Sequence, residues 1–68
     1  MNDETFNTSV RKFLKTVGVT SQQQLEKAVR SGIESGRLKG DETFSVRIRL
    51  ETELLDKPFE VDGTINLS

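Results

Sequence analysis

A chain of 68 residues has the length of one small domain, and a domain this short buries only a modest part of its surface. The chain has no His and no Cys, which excludes imidazole metal ligands, thiolate chemistry and disulfides. Its net charge is −1, but residues 1–39 carry +3 and residues 40–68 carry −4. The basic and acidic halves can attract each other, within one chain or between two copies.

The first element is an amphipathic helix, predicted over about residues 3–17. Its apolar residues have the spacing of one helix face, and they are Phe6, Val10, Phe13, Leu14 and Val17. Asn2 or Asp3 can cap its start, since either side chain can accept a hydrogen bond from a free backbone N–H of the first turn.

A corner is predicted at residues 17–22. Gly18 follows the apolar repeat and can take the left-handed conformation that ends many helices. Thr20 or Ser21 can then cap the next helix, with Gln23 or Gln24 completing a capping box. The spacing of the next apolar residues predicts a second helix over about residues 21–35, with Gly36 just past its end.

The spacing of the apolar residues changes at Thr43 from the helical period of 3.6 residues to the strand period of 2. This change predicts two half-buried strands over about residues 43–53 and 58–67. The residues between them contain Asp56 and Pro58, which suit a turn and a strand end. The two strands therefore form an antiparallel hairpin. One register places Arg49 opposite Asp62. A shift of two residues pairs Arg49 with Glu60 and Arg47 with Asp62, and the pattern leaves both registers open.

The fold class predicted for residues 1–68 is therefore α+β, a single small domain with two N-terminal helices followed by a hairpin whose apolar face packs on the helices. The expected core contains Phe6, Val10, Phe13, Leu14, Leu25, Val29 and Ile33 from the helices, and Phe44, Val46, Ile48, Leu50, Val61 and Ile65 from the hairpin. Truncating Phe13 to alanine in such a core is expected to cost about 3–5 kcal/mol.

No catalytic, cofactor-binding or metal-binding residue is predicted, and no cofactor is expected. Glu51, Glu53 and Asp56 are clustered and could bind a hard cation through oxygen. However, charged side chains are expected on the solvent face of a strand in any case. The five glycines form no phosphate-binding motif. We therefore expect a protein that is not an enzyme.

A winged-helix-like nucleic-acid-binding domain is the alternative function, because a helical corner is followed by a hairpin. Gln22, Gln23, Lys27 and Arg30 are residue types that contact bases or phosphates. The acidic overall charge and the acidic hairpin tip count against it. Specific binding to nucleic acid is therefore not expected.

A module that binds another protein or itself is the favoured function. An isolated two-stranded sheet is marginal in water, and its edges offer unpaired backbone groups. A dimer can extend the sheet through an edge strand, or it can cross the basic helical half of one copy over the acidic hairpin of the other. Edge pairing is favoured, through strand 1 around residues 45–49, because Pro58 makes strand 2 a poor donor edge. Leu54 and Leu55 at the tip can either bind a partner or cap the end of the core, and capping is preferred.

The acidic N-terminus, with no long apolar run after it, favours neither a secretory signal nor a membrane span, so a cytoplasmic location is expected.

Three segments of the first half, Arg11–Lys15, Val17–Gln22 and Glu26–Arg30, read RKFLK, VGVTSQ and EKAVR. On these segments, residues 1–40 resemble a family of short bacterial proteins of unknown function. The strand half resembles this family only in its pattern. The resemblance implies a bacterial cytoplasmic protein and no site residues.

Overall fold

The protein consists of one helix and two strands, as described over residues 1–68 by a computed structural model. Helix α1 spans Asp3–Glu34, strand β1 spans Thr43–Leu50 and strand β2 spans Phe59–Asn66. The chain divides into two compact units, Met1–Arg37 with the helix and Leu38–Ser68 with the hairpin. The α+β class is confirmed, but the prediction of two N-terminal helices is wrong.

Helix α1 runs without a break through the residues predicted to form a corner. Gly18 does not have a positive φ, whereas Gly36 and Gly40 do. The hydroxyl of Thr20 donates to the carbonyl of Thr16 at 2.7 Å instead of accepting from the next turn as a cap. A threonine in the middle of a helix can satisfy its side chain in this way, so the helix does not have to end.

A row of small and apolar residues, spaced three or four apart, continues along one side of the helix through the predicted corner. Val17, Ser21, Leu25 and Val29 are half-buried, and Gly32 is buried. Residues four apart lie on the same side of a helix, one above the other. Ser21 therefore belongs to this row rather than to a cap, and the row is the sequence signal for one continuous helix.

Both ends of α1 follow local sequence rules. The Asn2 side chain accepts a hydrogen bond from the Thr5 N–H at 3.0 Å, so Asn2, one of the two predicted candidates, is the cap. Asp3 and Glu4 occupy the first turn, where negative charge suits the helix dipole. Gly36 takes a φ of 83° just past the helix, and its N–H donates to the Ile33 carbonyl at 3.1 Å. The predicted helix end is therefore correct.

The hairpin adopts the register with the better cross-strand charges. Arg47 pairs with Asp62, and Arg49 pairs with Glu60. The Arg47 Nε lies 2.6 Å from the Asp62 Oδ1, on an exposed face of the sheet. Both strands are shorter than predicted. Strand β1 ends at Leu50, and strand β2 begins at Phe59 and ends at Asn66. Residues 51–58 form the connection, and Pro58 lies outside the ladder.

No hydrophobic side chain of the chain is buried. The predicted core is therefore wrong, because its members are exposed or at most half-buried. Periodicity identified which side chains share an apolar face in each element, but a periodic pattern does not specify what covers that face.

Candidate interaction surface

The first apolar surface lies in the N-terminal half of α1, and we call it the helix patch. It consists of Phe6, Val10, Phe13 and Leu14. Phe6 is 54% exposed, and Phe13 and Leu14 are each 56% exposed. At about 100° per residue, these four side chains lie on one side of the helix, Lys12 and Lys15 lie on the opposite side and Arg11 lies at the flank. Asp3, in the first turn, is the charged residue on the same side as the patch.

The second apolar surface lies at the turn end of the hairpin, and we call it the hairpin patch. It consists of Ile48, Leu50, Phe59 and Val61, which are 41–59% exposed. The register pairs Leu50 with Phe59 and Ile48 with Val61, so all four share one face. At the open end of the same face Phe44, Val46 and Ile65 are half-buried. The exposed apolar area is thus concentrated at the turn end.

The tip of the hairpin adds two leucines to the exposed apolar surface. Leu54 is 88% exposed and Leu55 is 42% exposed. The preferred interpretation that these leucines cap a core is therefore wrong. The Leu55 N–H donates to the Thr52 carbonyl at 3.1 Å, which holds Leu55 in a local turn. The Leu54 N–H donates to the Thr52 hydroxyl at 3.4 Å in the same turn, and the Leu54 side chain projects into solvent.

The tip also carries the acidic residues considered as cation ligands, Glu51, Glu53 and Asp56. No group of three or more His, Cys, Asp or Glu side chains in the chain is placed to hold a metal ion. Glu51 instead lies 3.6 Å from the Arg49 Nε, in an exposed ion pair that contributes little to stability. The three carboxylates and Lys57 give residues 51–58 a net charge of −2.

The concave regions of the hairpin are shallow and open to solvent. One, of about 620 Å³, is lined by Ser45, Val46, Arg47, Asp62, Gly63 and Thr64. Another, of about 360 Å³, lies at the tip beside Leu55 and Pro58. Ligand sites for small molecules are usually enclosed clefts lined mostly by apolar groups. The apolar faces are therefore the better candidate for a functional surface.

Glu42 holds the turn that leads into the hairpin, a role that the sequence analysis did not assign to it. Its Oε2 accepts from the Lys39 N–H at 2.8 Å, and its Oε1 accepts from the Gly40 N–H at 2.9 Å. These two backbone hydrogen bonds lower the pKa of Glu42 below its ordinary value of 4.5. The signal for this role in the sequence is a carboxylate two residues after a glycine, Gly40. In the structure, Gly40 has a φ of 108°.

We expect Glu42→Gln to destabilise the protein at neutral pH and to make little difference in strong acid. A carboxyl whose folded pKa is lowered contributes stability above its unfolded pKa, near 4.5, and loses it as the pH falls through the folded pKa. The measurement is the urea midpoint of both proteins at about pH 7 and about pH 2.5. Glu53→Gln, at a carboxylate on the hairpin tip, is the control. Equal losses for the two variants at neutral pH would contradict this role for Glu42.

No helix of the chain combines the length and the apolar character needed to cross a bilayer.

Comparison with known proteins identifies a family but no annotated relative. The family model that matches is described as "Family of unknown function (DUF6494)", and the match extends over residues 1–68. No curated protein and no solved structure matches the chain. The match supports the predicted membership of a family of unknown function and extends it from residues 1–40 to the whole chain.

Proposed function

We propose that this chain, which belongs to the DUF6494 family of unknown function, is a small, non-enzymatic module that associates with itself. Its folding is coupled to that association. The observation that carries the proposal is the absence of any buried hydrophobic side chain. Burial of apolar surface is the dominant favourable term in folding. A chain that buries so little on its own needs another molecule to supply that burial.

Each unit taken by itself supports the same proposal. A two-stranded hairpin is at best marginally stable in water without a surface to pack against. Most of the stability of a helix in a protein also comes from packing of its apolar face. The helix patch and the hairpin patch are both uncovered, and Leu54 adds to them. An apolar patch of a few hundred Å² is the largest that a typical soluble monomer exposes, and a patch of that size is often functional.

The non-enzymatic part of the proposal is based on the available side chains. The chain offers no His and no Cys as a base or nucleophile. Glu42, the carboxylate whose pKa is displaced, accepts backbone hydrogen bonds in a turn. We do not propose the nucleic-acid-binding alternative, because the helical corner on which it was based is part of α1.

We infer a bacterial cytoplasmic setting from the resemblance of residues 1–40, and this inference depends on that resemblance alone.

Sedimentation velocity combined with thermal melting tests the proposal. We expect a dimer or larger species at micromolar concentrations and a Tm that rises with protein concentration, because mass action favours the associated folded state. A folded monomer needs no partner, and its Tm does not change with concentration. A strict monomer at about 0.5 mM protein with a constant Tm would overturn the proposal.

A further inference from the structure

We propose that the partner is a second copy of this chain, and that the helix patch of each copy packs on the hairpin patch of the other. The inference depends on the proposed self-association and specifies its interface. Two equal helix-on-sheet contacts related by a two-fold axis form a closed dimer, in which each chain gives the same surfaces that it receives. A helix packed on a sheet is one of the standard two-layer solutions for burying apolar faces.

The apolar area is the first reason for this arrangement. An aromatic side chain presents about 150–250 Å², so the exposed halves of Phe6 and Phe13 together offer roughly 200 Å². With Val10 and Leu14 the helix patch reaches about 350 Å², and the hairpin patch is of similar size. Reciprocal packing then buries about 700 Å² per chain, close to the roughly 800 Å² per partner of a stable interface. Either patch alone supplies about half of that.

Charge is the second reason, because the two surfaces belong to halves of opposite charge. Residues 1–39 carry +3 and residues 40–68 carry −4. The helix patch is backed by Lys12 and Lys15 and flanked by Arg11, and the hairpin patch adjoins the acidic residues 51–58. The two lysines lie on the side of α1 that faces away from the hairpin patch, so they form no ion pair across the interface and attract the acidic half of the other copy only through its long-range field. Complementary fields of this kind steer association and select the partner more than they add affinity.

The other modes of self-association leave apolar surface exposed. Pairing of two helix patches covers neither hairpin patch. Pairing of two β1 edges, the seam favoured by the sequence analysis, joins two hairpins into a four-stranded sheet. That sheet would present two hairpin patches side by side on one face, so both patches would stay exposed as one larger contiguous apolar surface. Among these three two-copy modes, the reciprocal one covers both patches in both copies.

A lipid surface is the other possible occupant of an amphipathic helix, and the position of the charges disfavours it. Interfacial helices place cations where they reach the lipid phosphates while the apolar face enters the acyl chains. Here Lys12 and Lys15 lie on the side of α1 opposite the helix patch. Asp3 lies closer to that patch and would face an anionic headgroup.

Cross-linking of two different single-cysteine chains tests the interface. The natural chain has no cysteine, so every thiol is an introduced one. Val10→Cys marks the helix patch and Val61→Cys marks the hairpin patch, and both changes are small. The two chains are mixed, allowed to exchange and treated with a short bis-maleimide. We expect the mixed product, Val10→Cys joined to Val61→Cys, to exceed both products that join identical chains.

Controls distinguish this interface from the alternatives. Thr8→Cys replaces Val10→Cys as the matched control, because Thr8 is exposed on the side of α1 opposite the helix patch. We expect several-fold less mixed product with it. Dominant linkage between two Val10→Cys chains would overturn the inference in favour of helix pairing. Dominant linkage between two chains carrying Ser45→Cys on β1 would overturn it in favour of edge pairing.

Two further measurements on the same samples complete the test. Sedimentation separates the two proposals: a monomer overturns the proposed function, whereas a dimer without the mixed product overturns only the interface. The reaction is repeated with phosphatidylglycerol vesicles. We expect the yield of mixed product to stay the same. Loss of that product, with the protein floating on the vesicles, would overturn the inference in favour of a lipid surface.

Discussion

Truncation of Phe13 to alanine is expected to weaken self-association about 30- to 150-fold. Phe13 is 56% exposed in one chain, so the cavity cost of about 3–5 kcal/mol predicted from the sequence does not apply within that chain. Covering its exposed half in a dimer is worth about 1–1.5 kcal/mol. A two-fold dimer contains this contact twice, which gives about 2–3 kcal/mol in total.

The concentration dependence of this effect identifies its origin. Sedimentation equilibrium gives the dissociation constant, and thermal melts over a range of concentrations give the stability. We expect Phe13→Ala to regain the wild-type Tm at a correspondingly higher protein concentration. Thr8→Ala, on the opposite side of the helix, is the control and should leave association unchanged. A loss of stability that is the same at every concentration would instead indicate a core position within one chain.

Two substitutions of Gly18, to proline and to alanine, are expected to change the stability of the protein in opposite directions, because the helix is continuous at that position. Gly18→Pro removes the backbone N–H and places the ring against the carbonyl of Leu14, at a cost of about 3 kcal/mol. Gly18→Ala should stabilise the protein by about 0.5–1 kcal/mol, since alanine is the better helix former. A Cβ at Gly18 would meet no atom within 4 Å, so the added methyl group is tolerated.

Gly36→Ala is the matched control for Gly18→Ala. Gly36 has a φ of 83°, and alanine in that region is strained by roughly 1–2 kcal/mol. Both variants are measured by urea unfolding at equal protein concentration. We expect Gly18→Ala to raise the midpoint and Gly36→Ala to lower it. A lower midpoint for Gly18→Ala would show that Gly18 ends a helix in solution and that the predicted corner exists.

The helix break was wrongly predicted because its signals have two physical outcomes. A glycine followed by Thr20 and Ser21 can end one helix and cap the next. The same residues can also stay inside a helix when the threonine hydroxyl bonds back to a carbonyl, as Thr20 does with Thr16. The difference depends on the whole apolar row from Val17 to Val29, which a local reading of residues 17–22 does not include.

Features that depend on neighbouring residues were predictable from the sequence. The cap at Asn2, the helix end at Gly36 and the paired strands each follow from backbone chemistry within a few residues. The structure decided between the two hairpin registers. The register that forms pairs Arg47 with Asp62 and leaves residues 51–58 as the connection between the strands. The structure also decided that no hydrophobic side chain is buried. The hydrophobic effect is not directional, so an apolar face does not specify the surface that covers it. Periodicity therefore identifies the face, and only the three-dimensional structure shows how far each side chain is buried.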